Sequence, residues 1–508
     1  MDELLRTAVL LPVCAGALLS FVIEQGLRPP PRLWGRPLRA YAAHLGVWII
    51  AFAAVMALTQ RPWFSALLVL AELVFVVLVS NAKRHSLREP FVFADLEYFI
   101  DALRHPRLFL PYLGAGRALL TLAVFGLVLY LGFEFESALP ARIGYAGFSA
   151  LIAALLATGA ALLWLGTPRP LDMTFDADTD LHRCGLPAYF WYYALAERVP
   201  VDVAAQSPFR AVRAIPPVER LPHLVVVQSE SFFDVRRLYP HIQPGLLARF
   251  DMMRQAGLQH GLLEVPAWGG NTTRSEFAFL SGLGVAQLGV HRFNPHRKLA
   301  RQPLPTLASF LKCAGYATVC LHPYPVEFNS RDIVYPALGF DRFIDVAGFA
   351  GAERVGPYVS DAEVAQRVCA LLETATQPLL VFVITMENHG PLHLERPAPG
   401  DAERLYTAPP PAGFDALTVY LRHLANADRM IGTLGGCLTG LSREALLCWY
   451  GDHVPILPGV YRDTGFADGR TDYFIWRSGA AAHAVARTDR RIEELGGLLL
   501  DCAGFAPS

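Results

Sequence analysis

Four stretches of the chain share one pattern: a short apolar run that ends in a carboxylate or an imidazole. His223–Gln228 is followed by Ser229-Glu230-Ser231, and Ala317–Leu321 by His322. Leu379–Thr385 is followed by Glu387-Asn388-His389, and Ala445–Tyr450 by Gly451-Asp452-His453. Titratable groups at the ends of buried runs are candidates for a shared functional site. Glu230, Asp452 and His453 make a mixed oxygen and nitrogen donor set, which suits Mn2+, Mg2+ or Zn2+. Two carboxylates and one imidazole leave room for a fourth ligand. The candidate lies in Gly269-Gly270-Asn271-Thr272-Thr273-Arg274-Ser275-Glu276, whose glycines permit an unusual backbone path just before a helical pattern. A Thr272 hydroxyl on the metal would have its pKa lowered and become a nucleophile. The helix N-terminus would favour an anionic substrate. The same stretch reads as a capping box, Thr273-x-x-Glu276, with Thr273 capping while Thr272 faces the metal. Arg331, nine residues after His322, could grip a phosphate together with His389.

Elements of known geometry must bring these residues together. From Leu221 onward short apolar runs alternate with helical patterns at Leu304–Ala314, Ala362–Thr374, Phe414–Leu434 and Arg491–Cys502. A weaker fifth apolar run is Tyr473–Trp476. This alternation predicts an α/β sheet, mostly parallel and covered on both faces. Ligands of such sheets bind beyond the carboxyl ends of the strands, where the four polar endings fall.

The first third of the chain is of another kind. Over the whole sequence 53% of residues are hydrophobic and 18% are charged, with a formal net charge of -1. That composition disfavours a disordered protein, a nucleic-acid-coating protein and a small disulfide scaffold. Residues 1–170 hold 14 Lys+Arg and 10 Asp+Glu, whereas the rest of the chain holds 30 and 35. The long apolar runs sit in the first part: Thr7–Ile23, Ala40–Gln60, Pro62–Ala82, Ala118–Phe133 and Ile143–Pro168. Five transmembrane helices are expected within residues 1–168. Glu72, inside the third run, is expected to pair with His44 or a basic residue of another span. Residues 169–218 read as a connector. Its aromatic stretch Leu186–Val199 suits either a membrane interface or an ordinary packing helix. Residues 219–508, which carry the four polar-ended runs, are expected to form a second domain that holds the site. The basic loops Arg28–Arg39 and Lys83–Arg117 hold 4 and 6 basic residues, which by the positive-inside rule would leave the C-terminal part in the cytoplasm. The eight cysteines form no CxxC or CxxH pair and read as buried free thiols.

The motifs taken together resemble the lipoteichoic acid synthase family of the alkaline phosphatase and sulfatase superfamily. They are Gln228-Ser229-Glu230-Ser231-Phe232, Gly270-Asn271-Thr272 with Glu276-Phe277, Asn388-His389-Gly390-Pro391, and Gly451-Asp452-His453. The spacers Gly339-Phe340-Asp341, Phe343-Ile344-Asp345 and Ala427–Gly432 fit the same pattern. The resemblance implies five spans followed by a sulfatase-like, mostly parallel sheet flanked by helices. It implies a phosphoglycerol transferase that moves glycerol phosphate from phosphatidylglycerol to a hydroxyl of a glycan or polyglycerolphosphate acceptor, through a phospho-threonine intermediate. By position, Glu230, Thr272, Asp452 and His453 would bind one divalent metal, typically Mn2+. Thr272 would be the nucleophile, and His322, Arg331 and His389 would hold the head group. The family often has Trp two residues before the Arg, where this chain has Asn329 with Phe328 beside it. Its members place the catalytic domain outside the cytoplasmic membrane, opposite to the basic-loop count, and the family placement is the one adopted. The alternatives are a phosphoethanolamine transferase of the same superfamily and a non-catalytic membrane binding or sensory protein. A sulfatase would need the formylglycine motif Cys/Ser-x-Pro-x-Arg, which occurs nowhere in the chain.

Overall fold

A computed structural model describes residues 6–98, 104, 106, 115–211, 213–480 and 485–505. The chain divides into two compact units, Met1–Pro200 and Val201–Ser508.

Among the described residues of the first unit, four helical segments are long and apolar enough to cross a membrane: Thr7–Gly26, Leu38–Thr59, Pro62–Leu87 and Pro140–Gly166. The remaining expected span falls on the helix Ala115–Phe135, in which the apolar stretch Leu122–Phe135 is shorter. Most of the basic loop between the third and fourth runs lies outside the described residues. The helices Leu38–Thr59 and Pro140–Gly166 meet backbone to backbone. A Cβ on Gly159 would lie 2.6 Å from the Ile50 side chain, and one on Gly166 would lie 2.5 Å from the Ala43 nitrogen. Small residues at such contacts gain close van der Waals packing where no hydrophobic force drives helices together. Trp48, Phe52, Met56, Val69 and Phe148 fill the apolar centre.

The expected pairing of Glu72 with His44 is not formed. Glu72 is exposed on its helix. His44 is fully buried, 2.8 Å from the Ser20 hydroxyl, with its ring stacked on Phe21 at 3.8 Å. The buried acid beside it is Glu24, whose Oε1 pairs with Arg36 at 2.5 Å and whose Oε2 accepts the Leu186 N–H at 2.9 Å. An acid at a helix end can reach a loop arginine and a second helix N-terminus; one in mid-helix, like Glu72, cannot.

The described residues of the second unit form ten strands: β1 His223–Ser229, β2 Gln259–Glu264, β3 Ala317–Leu321, β4 Arg342–Ile344, β5 Arg354–Val355, β6 Tyr358–Val359, β7 Leu379–Ile384, β8 Ala445–Gly451, β9 Thr471–Arg477 and β10 Arg490–Arg491. Eight of them form one sheet in the order β10-β2-β9-β8-β1-β7-β3-β4, and β5 and β6 pair separately. Within the eight-stranded sheet β9 runs antiparallel to both its neighbours and the other pairs are parallel, while β5 and β6 pair antiparallel. The sheet is therefore mixed, with a parallel half that contains all four polar-ended strands. Side chains alternate between two cores, as the period of a strand requires. Val225, Val227, Val381, Val383, Leu447 and Trp449 face the helices Asp361–Glu373 and Asp415–Gly440. Leu224, Val226, Leu380, Phe382, Leu446 and Tyr450 face Thr272–Ser281, Leu307–Cys313 and Ile492–Cys502.

β8, β1, β7 and β3 are consecutive in the sheet, so their carboxyl ends lie side by side. The β1–β8 register pairs Ser229 with Gly451 and so delivers the next residues, Glu230 and Asp452, as neighbours. Gly451 makes this approach possible. A Cβ there would sit 1.7 Å from the Phe232 carbonyl oxygen, and backbone cannot move aside cheaply. Gly451→Ala is expected to lower stability by about 3 kcal/mol, since overpacking of this kind costs roughly 1–3 kcal/mol or more. Thermal unfolding of the purified protein measures it, and an unchanged melting temperature would contradict the register argument.

Candidate metal and nucleophile site

Each strand end presents its polar group through a distinct local device. After β1 the chain turns sharply at Ser231, whose φ of 55° is left-handed. This turn places Glu230 in the interior, where its N–H donates to the Thr385 hydroxyl at 2.9 Å and its carbonyl accepts from Asn388 Nδ2 at 3.3 Å. After β8, Asp452 Oδ1 accepts two backbone N–H groups, from Ser231 at 2.8 Å and from His453 at 2.9 Å. Its other oxygen, Oδ2, is buried with no hydrogen-bond partner. His453 Nδ1 donates to the Val454 carbonyl at 3.1 Å, which leaves Nε2 as a lone pair. That nitrogen lies 3.2 Å from Asp452 Oδ2 and 3.6 Å from Glu230 Oε1.

Among the described residues, Glu230, Asp452 and His453 are the set whose donor atoms all fall within 4.8 Å of one another. The arrangement suits a cation. Burial, with the charge of Asp452 added, raises the Glu230 carboxyl well above the usual range. An unpartnered carboxylate oxygen, an imidazole lone pair and a second carboxylate converging on one point are what a divalent ion satisfies.

Thr272 opens the helix Thr272–Ser281, directly after Asn271, whose φ of 63° turns the chain into it. Its Oγ1 is 3.4 Å from His453 Nε2, beside the three donors. The first turn of the helix directs backbone N–H groups toward the same region, where an anion is favoured. The capping box is a correction. Asn271 occupies the cap position with no side-chain cap bond, and Thr273 lies inside the helix, buried. Glu276 turns instead to Arg331 and Tyr335. Arg331 Nη2 and Nε bond its two oxygens, the latter at 3.3 Å, and the Tyr335 hydroxyl donates at 2.7 Å. A buried acid takes the stronger, charged partner over a backbone N–H.

His322 and His389 are likewise oriented by backbone. His322 Nδ1 donates to the Ile384 carbonyl at 3.1 Å, and His389 Nδ1 to the Gly390 carbonyl at 2.7 Å. Burial lowers both, His322 to about 3, so both rings are neutral at pH 7 and offer Nε2 as an acceptor. Arg331, Glu276 and His389 are all electrostatic neighbours of His322. The structure thus collects His322, Arg331 and His389 in one neighbourhood, with Arg331 already committed to Glu276 on one side. Its Nη1 makes only a long 3.5 Å contact to the Phe328 carbonyl.

Sequence reasoning gave no role to Ser231, Ser275 or Thr385. Ser231 Oγ donates to Glu230 Oε1 at 2.8 Å, and its carbonyl accepts from the Tyr420 hydroxyl at 2.7 Å. Ser275 Oγ donates to the Asp452 carbonyl at 2.7 Å. Ser231 and Ser275 sit within the motifs quoted above, so adjacency to a ligand was the available signal.

The Glu276–Arg331 pair carries an expectation for stability. Burial alone would raise the Glu276 carboxyl, but Arg331, His296 and Tyr335 together outweigh it and hold the group at about 2, below its ordinary 4.5. Its stabilisation is therefore present above pH 4.5 and lost as the pH falls toward 2. Arg331→Ala should destabilise the protein by about 3–5 kcal/mol at neutral pH, because it leaves a buried carboxylate alone. Glu276→Gln should flatten the acid limb of the stability profile. Chemical denaturation across that pH range measures both, and an unaltered acid limb would remove the pair from the account.

A model of the family described as Sulfatase matches residues 222–505. The capsular polysaccharide biosynthesis protein RkpI of Rhizobium meliloti (strain 1021) is 31% identical over 470 residues, covering 88% of this chain and 83% of the relative. Lipoteichoic acid synthase 2 of Bacillus subtilis (strain 168) is 27% identical over 194 residues, 37% of this chain and 28% of the relative. Among solved structures, the integral membrane lipooligosaccharide phosphoethanolamine transferase A (EptA) of Neisseria meningitidis is 12% identical, with a TM-score of 0.52 over 91% of this chain and 87% of that one. That likeness extends the shared fold to the apolar helices as well as the sheet. With its strand-end donor set and a family match spanning the whole sheet, this chain belongs to the sulfatase family, within the alkaline phosphatase superfamily.

Proposed function

We propose that this protein is a membrane-anchored phosphoglycerol transferase that moves glycerol phosphate from phosphatidylglycerol to a hydroxyl of a cell-surface or periplasmic glycan. The observation that carries this reading is Thr272, a hydroxyl at a helix N-terminus placed 3.4 Å from the imidazole of a buried carboxylate–carboxylate–imidazole set. A sulfate-ester hydrolase of the same family would use the formylglycine motif, which the chain lacks.

Glu230, Asp452, His453 and Thr272 would hold one divalent metal, with Mn2+ the best candidate and Mg2+ or Zn2+ possible. A metal bound there would lower the pKa of the Thr272 hydroxyl and offset charge on the phosphoryl oxygens. Thr272 Oγ1 then attacks the donor phosphorus. The new Oγ1–P bond forms as the bond from phosphorus to the diacylglycerol oxygen breaks, and diacylglycerol leaves with a proton on that oxygen. An acceptor hydroxyl attacks the phospho-threonine in turn, loses its proton, and restores Thr272. The N–H groups of the first helical turn and Nη1 of Arg331, which makes only a long contact to Phe328, would attract the phosphoryl group, and positioning of this kind supplies most of the catalysis of such transfers. His322 and His389, neutral with Nε2 as acceptor, suit the hydroxyls of a glycerol head group.

The name of the Rhizobium relative supports a polysaccharide acceptor, and that of the Bacillus relative a role in lipoteichoic acid synthesis. A donor that stays in the bilayer accounts for the apolar helices, with the catalytic unit on the extracytoplasmic side. The second reading, phosphoethanolamine transfer, has the Neisseria structure in its favour.

Thr272→Ala should abolish diacylglycerol release from phosphatidylglycerol vesicles while leaving the unfolding profile intact; undiminished release would refute the nucleophile. Mass spectrometry of the trapped Thr272 adduct should show a glycerophosphoryl group, and a phosphoethanolamine mass would select the second reading. Chelation should stop turnover and Mn2+ should restore it, whereas Asp452→Asn should lose the metal itself by elemental analysis. A reporter fused at Ser508 should be active outside the cytoplasm, and cytoplasmic activity would reverse the topology.

A further inference from the structure

One buried ring holds both ends of the loop that follows β7. The loop opens with Glu387, Asn388 and His389 and runs on to Glu395. His423, on the helix Asp415–Gly440, is fully enclosed. Its Nδ1 lies 3.2 Å from Glu387 Oε1, and its Nε2 lies 3.2 Å from Glu395 Oε2. Each carboxylate already accepts from other donors. Glu387 takes the Asp361 N–H at 2.7 Å and the Asn426 amide, and Glu395 takes Arg422 Nη2 at 3.0 Å. A neutral imidazole has one N–H and satisfies only one such acceptor. With an acceptor at each nitrogen, the ring carries two protons. The same loop reaches the candidate metal site, because Asn388 Nδ2 donates to the Glu230 carbonyl at 3.3 Å. The same helix reaches it as well: one turn before His423, the Tyr420 hydroxyl donates to the Ser231 carbonyl at 2.7 Å.

We propose that His423 is a positioning residue, an imidazolium that clasps Glu387 and Glu395 and so sets Asn388 against the donor set and His389 against the head group. The proposal rests on the reading of His389 as a head-group ligand. The clasp depends on pH. Burial alone would lower the His423 ring, but its bonds to Glu387 and Glu395 outweigh that and hold it at about 9, above its ordinary 6.5. A group raised in this way keeps its proton at neutral pH and loses it as the pH rises through about 9. One nitrogen then has no N–H to offer, and one end of the loop is released. The other charged groups that face this ring are Arg422, which pairs with Glu395 and Asp401, and Asp361 at the start of the helix Asp361–Glu373. Burial and the charge of Glu387 push the Asp361 carboxyl well above its ordinary range.

The test measures glycerol phosphate binding by calorimetry, from neutral to alkaline pH, on the purified full chain in detergent with Mn2+ bound. Elemental analysis at each pH separates loss of the cation from loss of the clasp. Binding by the parent is expected to weaken as the pH rises through about 9. Glu395→Gln removes one of the two carboxylates from a half-buried position, and should move that weakening down by about one pH unit or more, because a neighbouring opposite charge shifts a pKa by about 1–3 units. His423→Gln should bind weakly already at neutral pH and show no further alkaline loss. An alkaline loss at the same pH in Glu395→Gln and the parent overturns the proposal. So does an alkaline loss that persists in His423→Gln, since it would belong to another group such as Asp361. Failure of the metal-loaded parent to bind glycerol phosphate at neutral pH overturns the head-group reading and the proposal with it, whereas an unshifted profile overturns the proposal alone.

Discussion

Holding Glu230 and Asp452 together away from water sets the terms for the catalytic unit. Two like charges at this separation in a low dielectric repel strongly, and the cost falls only if one is protonated or a cation lies between them. Among the described residues, neither acid is paired with a lysine or arginine. Asp452 Oδ2 has no partner, and Arg331 is turned to Glu276. The scaffold must therefore resist the repulsion by rigidity. It does so with a sheet covered on both faces and with bonds from Thr385, Asn388 and Ser275 that fix the backbone around the acids. Left-handed residues mark the turns into the site: Ser231 after β1, Asn271 before Thr272, and Asn329 and Ser330 before Arg331.

Buried charge is handled differently elsewhere in the chain. Glu24 is as enclosed as Glu230, yet it has Arg36 on one oxygen and a helix N–H on the other. Glu276 has Arg331 and Tyr335. These acids are satisfied within the protein and act as ties between elements. Among the described acids, Asp452 and Asp361 each keep a buried oxygen with neither a hydrogen bond nor an arginine partner, and the oxygen of Asp452 lies beside Glu230 and His453.

Much of this was legible in the sequence because apolar runs bounded by polar residues report buried strands directly. β1, β3, β7 and β8 were read nearly to the residue, and the donors follow immediately after them. β2, β4 and β10 were not. β2 carries Gly261 and polar ends, while β4 and β10 span three residues or fewer, too little for a period to show. That β9 runs against its neighbours leaves no mark in its composition. The capping box failed for a physical reason: Thr-x-x-Glu spacing cannot tell whether the acid folds back on its own helix or crosses to an arginine 55 residues away. Glu72 failed in the same way, since an apolar run shows that an acid is within a helix but not which face it takes.

The β1–β8 register has a temporal consequence. Glu230 stands near the beginning of the second unit, and Asp452 and His453 near its end. No early fragment of this unit can assemble the donor set, because its halves come from strands that are neighbours in space and distant along the chain. Contacts of such long range form late, once loop closure is offset by the packing around them. A cation captured there would fasten the first strand to one of the last, and so would read out completed folding before any substrate is touched.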